Sequence, residues 1–307
     1  MDTQRLVLFM LFVFSTFFLI EAWQKDQRPP APVPAAAVPA PAAAPPAASA
    51  SSANVPSPTP ATQPVATPVA GGELQKGEQV RVQTDLVIAT IDTAGGDVRL
   101  LELLAQRDTL DKKKNFTLLE VQPDHTYIAQ SGLIGKDLPN HRTRYTTSDR
   151  EVKLEEGANE ATVRLVAPAA NGVKVTKLFT FHRGSYVIDV SYEIENSSPS
   201  ALQVDSYYQL VRDSKPPVGD SAMLPTFTGI AVYTDKEKFQ KVTFAEVDKG
   251  KVPYPKRSND GWIAMLQHYF LTAWLPANAL PREFYTQRLE NGLYSAGIVL
   301  ASGNLAA

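Results

Sequence analysis

From Gln79 onward, apolar and polar positions alternate with a period of two, the spacing that sends successive side chains to opposite faces of a sheet. The segment "YVIDVSYEIEN" is the clearest instance. Tyr186, Ile188, Val190, Tyr192 and Ile194 share one face, while Asp189, Ser191, Glu193 and Glu195 share the other. One face of such a strand is buried and the other is wet. The preceding "VKVTKLFTF" is β-branched and aromatic, and "HRGS" supplies the turn between the two. Further hairpins are predicted in "DLVIATIDTAGGDVRLLELL", turning at Gly95 and Gly96, and in "REVKLEEGANEATVRLVAP", turning near Gly157. A third is predicted in "EFYTQRLENGLYSAGIVLA" at Asn291 and Gly292, because Asn-Gly suits a type I′ turn. Long helices are hard to find. Many short strands with turn signals throughout predict an all-β sandwich.

Two stretches depart from the alternation. Leu6 to Ile20, "LVLFMLFVFSTFFLI", is uninterrupted by charge, and with Ala22 and Trp23 the run approaches the length that spans hydrocarbon. A cleaved signal peptide needs small residues just after the apolar core. Here "EAWQKDQRPP" places Glu21, Trp23 and Lys25 there instead, which favours a retained anchor over residues 1–24. Arg5 on one side faces Lys25 and Arg28 on the other, so the positive-inside count alone does not orient it. The very short segment before Arg5 and the long region after Trp23 point to an inside N-terminus and an outside domain. The second stretch is "NDGWIAMLQHYFLTAWLP", Asn259 to Pro276. Gln267 and His268 interrupt it and Pro276 ends it, so it is too short to cross a membrane. It reads as one bent strand or two consecutive strands buried on both faces, inside a sandwich. A partner-docking patch is the competing reading.

Composition divides the chain. Thirteen of the 24 prolines fall between Pro29 and Pro68, where no residue is charged or aromatic. Residues 25–75 therefore read as an Ala/Pro-rich disordered linker, and residues 76–307 as the folded domain. A flexible linker of this length spans roughly 35 Å, which makes it a spacer. The net charge of -2 is too balanced to attract nucleic acid in bulk. With no cysteine, disulfides, thiolate metal sites and a thiol nucleophile are excluded. The four histidines, His125, His141, His182 and His268, share no metal-ligand spacing. "SGLIGKD" lacks the spacing of a phosphate loop, and no carboxylate pair can be placed across a cleft from sequence. No catalytic, cofactor-binding or metal-binding residue is assigned, and the chain is not read as an enzyme.

Several segments nevertheless carry a resemblance. "GWIAMLQHYFLTAWLP" resembles the most recognisable part of the periplasmic domain of the YidC family, the bacterial inner-membrane protein insertases. "MDTQRLVLFMLFVFSTFFLIEAWQKD" is similar to the family's N-terminal anchor, "VRVQTDLVIATIDTAGGDVRLLEL" to its first strands after the linker, "YIAQSGL" to an internal motif, and "KLFTFHRGSYVIDVSYEIEN" to a central hairpin. These segments are collinear and cover the chain apart from the linker. The resemblance implies a β-supersandwich like that of galactose mutarotases, preceded by one transmembrane helix and the linker. It places Trp262, Met265, Gln267, His268, Tyr269, Phe270, Trp274 and Pro276 in a family motif whose role is structural, as core. It implies a bacterial inner-membrane location with a cytoplasmic N-terminus and a periplasmic domain. The implied partners are the Sec translocon with its accessory periplasmic subunits, the membrane, and nascent membrane proteins. The helix bundle that engages those clients is absent before Ala307, and the domain reads as truncated in its last strands.

Two other classes compete with a scaffold domain of an insertase. The fold analogy alone raises a sugar-binding or epimerase-like module, which needs a histidine and a carboxylate converging in a cleft. His182, His268 and Glu283 are its candidates. The other is a periplasmic chaperone that binds clients on an exposed sheet face.

Overall fold

The computed structural model describes residue 14 and residues 74–218, 226–289 and 291–306. The anchor expected over residues 1–24 lies outside the described residues apart from residue 14, and so does the linker apart from its last two residues. Among the described residues no helix is long and apolar enough to cross a membrane.

The period-two pattern folds into strands. In chain order they are β1 (Gln79–Gln83), β2 (Val87–Asp92), β3 (Asp97–Arg107), β4 (Asn115–Gln122), β5 (His125–Ile134), β6 (Glu151–Lys153), β7 (Glu160–Val166), β8 (Val173–His182), β9 (Ile188–Asn196) and β10 (Leu202–Arg212). After them come β11 (Gly229–Thr234), β12 (Lys238–Val242), the short helix α1 (Phe244–Asp248), β13 (Arg257–Ser258), β14 (Trp262–Gln267), β15 (Phe270–Trp274), β16 (Arg282–Arg288) and β17 (Tyr294–Leu305). Helix α1 is held by a capping box, in which Thr243 and Glu246 satisfy each other's backbone N–H.

Ten strands form one sheet in the order β13-β16-β17-β10-β5-β4-β3-β2-β1-β6. A four-stranded sheet runs β12-β11-β14-β15, and a three-stranded sheet runs β7-β8-β9. The larger apolar core draws on all three: Val80, Ile91 and Ile298 from the large sheet, Val163 and Phe179 from the three-stranded one, and Ile230 and Met265 from the four-stranded one. The architecture is thus mostly β, with two small sheets packed on one large sheet. Burial of this kind is its main stabilising term.

Two of the predicted hairpins form as drawn, β2–β3 across Gly95 and Gly96, and β8–β9 across the "HRGS" segment. In β9 the alternation holds at every position, with Ile188, Val190, Tyr192 and Ile194 half-buried and Asp189, Ser191, Glu193 and Glu195 exposed. The "ENG" hairpin pairs β16 with β17, but its turn differs. The Gly292 N–H donates to the Leu289 carbonyl (3.1 Å) and the Leu289 N–H to the Leu293 carbonyl (2.7 Å), so the loop is longer than a two-residue type I′ turn. The hairpin drawn around Gly157 does not form. β6 instead runs parallel to β1, while β7 pairs with β8. The reason lies in the backbone: β1 offers a free edge that binds both ends of β6, through Arg81 N–H to Arg150 and Leu154 N–H to Gln83.

The three-stranded sheet is also tied down by buried charge. Lys177, inward-facing in the middle of β8, is fully buried, and its Nζ donates to the carbonyls of Gly96 (2.7 Å) and Ser131 (3.1 Å) on the large sheet. The ammonium also sits 5.2 Å from the Phe179 ring centroid and 5.8 Å from that of Tyr192. Gly96 is required here: its φ is +59°, and a Cβ would stand 3.1 Å from Lys177 Cδ. Nearby, Asp97 is fully buried, accepts from Gln130 Nε2 (2.8 Å) and lies 3.7 Å from Arg99. Burial pushes its carboxyl up to about 6, against the opposing pull of the Lys177 and Arg99 charges, and burial lowers Lys177 to about 8.

Candidate functional site

The apolar stretch from Asn259 to Pro276 folds as two consecutive strands, β14 and β15, joined by a tight turn at His268 and Tyr269. Ile263 pairs with Trp274 and Met265 with Thr272, so these residues share the face turned to the core. Ile263, Ala264 and Met265 are fully buried. β14 is an inner strand, flanked by β11 and β15, whereas β15 is an edge.

The residues read as core from the sequence therefore separate by position. Met265 and Gln267 are buried, and Trp262, Phe270, Trp274 and Pro276 are half-buried. His268 and Tyr269 are a correction: both are exposed, Tyr269 at 84%, because they form the tip of the hairpin beyond the last ladder pair, Gln267 with Phe270. The expectation of burial on both faces holds for the centre of β14 and fails for β15, which has a neighbour on one side only. Each half-buried ring has a defined contact. Trp262 stacks on Tyr233 (centroids 5.7 Å apart, 11° between planes), Phe270 on Phe116 (4.1 Å, 24°), and Trp274 leans on Tyr208 (5.1 Å, 53°).

Two buried arginines hold the hairpin. Arg212, at the end of β10, lies over the Tyr127 ring at 4.9 Å and donates from NH1 to Gln267 Oε1 (3.1 Å), which ties β14 to the large sheet. Arg282, at the start of β16, donates to the carbonyls of Gly261 (2.6 Å) and Asn259 (3.3 Å) before β14, and to those of Ala277 (2.6 Å), Pro276 (3.4 Å) and Leu280 (3.0 Å) after β15. One guanidinium thus clamps both ends of the stretch, as a planar fork can and a lysine cannot. Sequence reasoning singled out neither arginine. Arg282 shows no local signal, because its acceptors are backbone carbonyls up to 23 positions away.

Beside β15 lies an apolar cleft of about 620 Å³. Its floor is the large sheet, with Val98, Leu101, Leu119 and Leu300, and its walls are β15 on one side and the entry to β9, Tyr186 to Val190, on the other. This size falls within the range of ligand pockets.

Three of the four histidines have defined hydrogen-bond partners. His125 Nδ1 lies 2.6 Å from Asp213, whose carboxyl is held down near 2; burial would raise it, but the bonds from His125 and from the N–H groups of Thr126 and Lys215 outweigh that. His141 bonds to the Tyr207 hydroxyl through both its backbone N–H and its ring, and burial, with Arg142, pushes the ring down to about 3, which favours the neutral form. The three epimerase candidates do not share a sheet. His182 ends β8 and bonds to Asp189 (2.6 Å), His268 is at the hairpin tip, and Glu283 on β16 accepts from Arg257 Nε (3.3 Å). Among the described residues no cluster of three or more His, Asp or Glu has the arrangement of a metal site.

Comparison with known proteins gives this geometry a family. The chain is 48% identical to a membrane protein insertase YidC of Nitrosospira multiformis, over 99% of this chain and 56% of that protein. It is 44% identical to the one of Nitrosomonas europaea, over 100% and 52%, and 46% identical to that of Aromatoleum aromaticum, over 98% and 54%. The chain thus spans about half the length of the relatives it matches. Among solved structures, a galactose mutarotase related enzyme from Lactobacillus acidophilus is similar at 10% identity, over 71% of this chain and 84% of that one, with a TM-score of 0.45. The family model described as the YidC periplasmic domain matches residues 79–307, and with relatives this similar along the whole chain the protein belongs to the YidC family.

Proposed function

We propose that this chain is the anchor and periplasmic part of an insertase that places proteins in the bacterial inner membrane. The observation that carries the reading is 48% identity to a membrane protein insertase along 99% of this chain. In this reading residues 1–24 form the anchor with the N-terminus in the cytoplasm, residues 25–75 the tether, and residues 76–307 a periplasmic scaffold. Client insertion belongs to the half of the relatives that this chain does not match. Physically, insertion needs a polar path through which the flanks of a nascent helix cross without full desolvation, while its apolar segment passes into lipid. A β domain with a closed apolar core provides no such path, so its part is positional: it carries surfaces for the Sec translocon and its accessory periplasmic subunits.

The test is a chimera. The matching half of the Nitrosospira relative is replaced by these 307 residues, and the product is expressed in cells depleted of their own insertase. Restored insertion of a reporter membrane protein is expected, while the 307 residues alone restore nothing. A chimera that accumulates normally yet restores no insertion overturns the reading. A phosphatase joined after residue 307 reports the side of the membrane, and an inactive phosphatase there overturns the assigned orientation.

A further inference from the structure

The two small sheets pack on the same large sheet, yet their outward faces differ. The three-stranded sheet turns Arg164, Thr180, Glu193 and Glu195 away from the core, the wet face expected of an outer layer. The four-stranded sheet keeps Ile230, Val242 and Met265 in the core, and its register turns Phe239, Tyr233 and Trp262 outward in one row and Ala231 and Ala264 in the next, with Lys241 beside them. Both faces of this sheet are therefore largely apolar. At the end of β14 the hairpin tip adds Tyr269, 84% exposed, and a pocket of about 420 Å³ opens between it, Phe227, Phe239, Leu266 and Lys241. Among the described lining residues Lys241 is the one lysine, arginine or carboxylate side chain. Its ammonium lies 4.8 Å from the Phe227 ring centroid, and no described carboxylate stands within ion-pair distance of it.

We propose that this outward face and the hairpin tip dock on the surface of a phospholipid bilayer, with Tyr269 and Phe239 among the headgroups and Lys241 paired with a lipid phosphate. Tyr, Trp and Lys around an apolar surface are the residues that settle where hydrocarbon meets water. The charge fits as well. A lysine with no carboxylate partner, set at an apolar pocket, suits the phosphate of an amphiphile, and Asp235 and Asp260 lie past the opposite end of the face, beyond the Tyr233–Trp262 pair. Free phosphate would meet Lys241 but leave the rings in water. The chain itself supplies the proximity. The inference rests here on the anchor of the proposed function: residues 1–24 hold the chain in a bilayer and residues 25–75 span roughly 35 Å, so the face meets lipid at an effective concentration that lets a weak contact persist. A soluble partner has no such advantage.

The chain has no cysteine, so Tyr269→Cys takes a nitrobenzoxadiazole dye at a single place. The labelled 307-residue chain is held in nanodiscs of mixed phosphatidylcholine and phosphatidylglycerol, and Glu156→Cys, in the exposed turn at Gly157, carries the same dye as a control. Blue-shifted emission at position 269, quenched by brominated lipid, is expected, with neither effect at position 156. Lys241→Gln, at an exposed position, should lower the ratio of docked to free chain about fivefold. Phe239→Glu, at a ring that is 45% exposed, should abolish the shift, and unchanged thermal midpoints verify that both variants fold. A silent dye at 269 on a chain that co-elutes with the disc overturns the contact and leaves the anchor standing. A chain that does not enter the disc overturns the anchor and this inference with it. An equal shift at position 156, or a shift that Lys241→Gln leaves unchanged, overturns the proposal too. So does a dye that is silent in these discs but responds in native membrane vesicles, which would assign the face to a protein.

Discussion

Replacing Arg282 by methionine keeps most of the side-chain volume and removes all five bonds that clamp the ends of the β14–β15 stretch. A hydrogen bond from a charged donor contributes about 1.5 to 3 kcal/mol net of dehydration. Bonds that act as a unit are not additive, and the two at 3.3 Å and 3.4 Å are long enough to neglect. The two at 2.6 Å and the one at 3.0 Å then set an expected loss of about 3 to 5 kcal/mol. Urea unfolding followed by tryptophan fluorescence reads this directly, because Trp262 and Trp274 both lie within the clamped stretch. Amide exchange should quicken first in β14 and β15, the segments whose ends are released. Arg282→Lys should recover only a minor part, since a point charge cannot reach carbonyls on both sides at once. A loss below about 1 kcal/mol with unchanged protection of β14 and β15 would refute the clamp and leave Arg282 as an ordinary buried cation.

Other substitutions probe separate parts of the argument. Gly261→Ala should cost about 3 kcal/mol or more in the same urea assay, because φ there is +94° and a Cβ would stand 1.9 Å from the Tyr233 carbonyl oxygen. Trp274→Ala and Trp262→Ala should each cost about 2 to 3 kcal/mol, less than for a fully buried ring; full stability in both would show that these rings are not part of the packed core. Asp97 should make stability depend on acid: its folded value of about 6 exceeds the ordinary 3.8, so its contribution is complete below 3.8 and is lost as pH rises through 6. That amounts to a decline on the order of 3 kcal/mol, and Asp97→Asn should flatten it in denaturant midpoints measured across this range. Lys177→Met should loosen β7, β8 and β9 together, seen as faster exchange in those strands, whereas a change confined to β8 would argue against a staple between sheets.

Much of the fold could be read from the chain because strand alternation and turn glycines are local properties. Ile188 to Ile194 declared their buried side by spacing alone, and the paired glycines at 95 and 96 marked a turn that only positive φ allows. Lys177, inward between Val175 and Phe179, was not singled out, because its acceptors are backbone carbonyls of distant segments. Partnership between distant segments was not visible. That β6 bonds to β1 and not to the adjacent β7 depends on which edge was left open. That His268 and Tyr269 are exposed while Met265 is buried depends on where the hairpin bends; Gln267 and His268 interrupt the apolar run there, but the interruption alone leaves one bent strand and two consecutive strands equally open. The Arg282 clamp and the cleft between β9 and β15 were decided by tertiary structure alone, since carbonyl acceptors carry no side-chain signature and a gap between two sheets exists only once both have packed on a third.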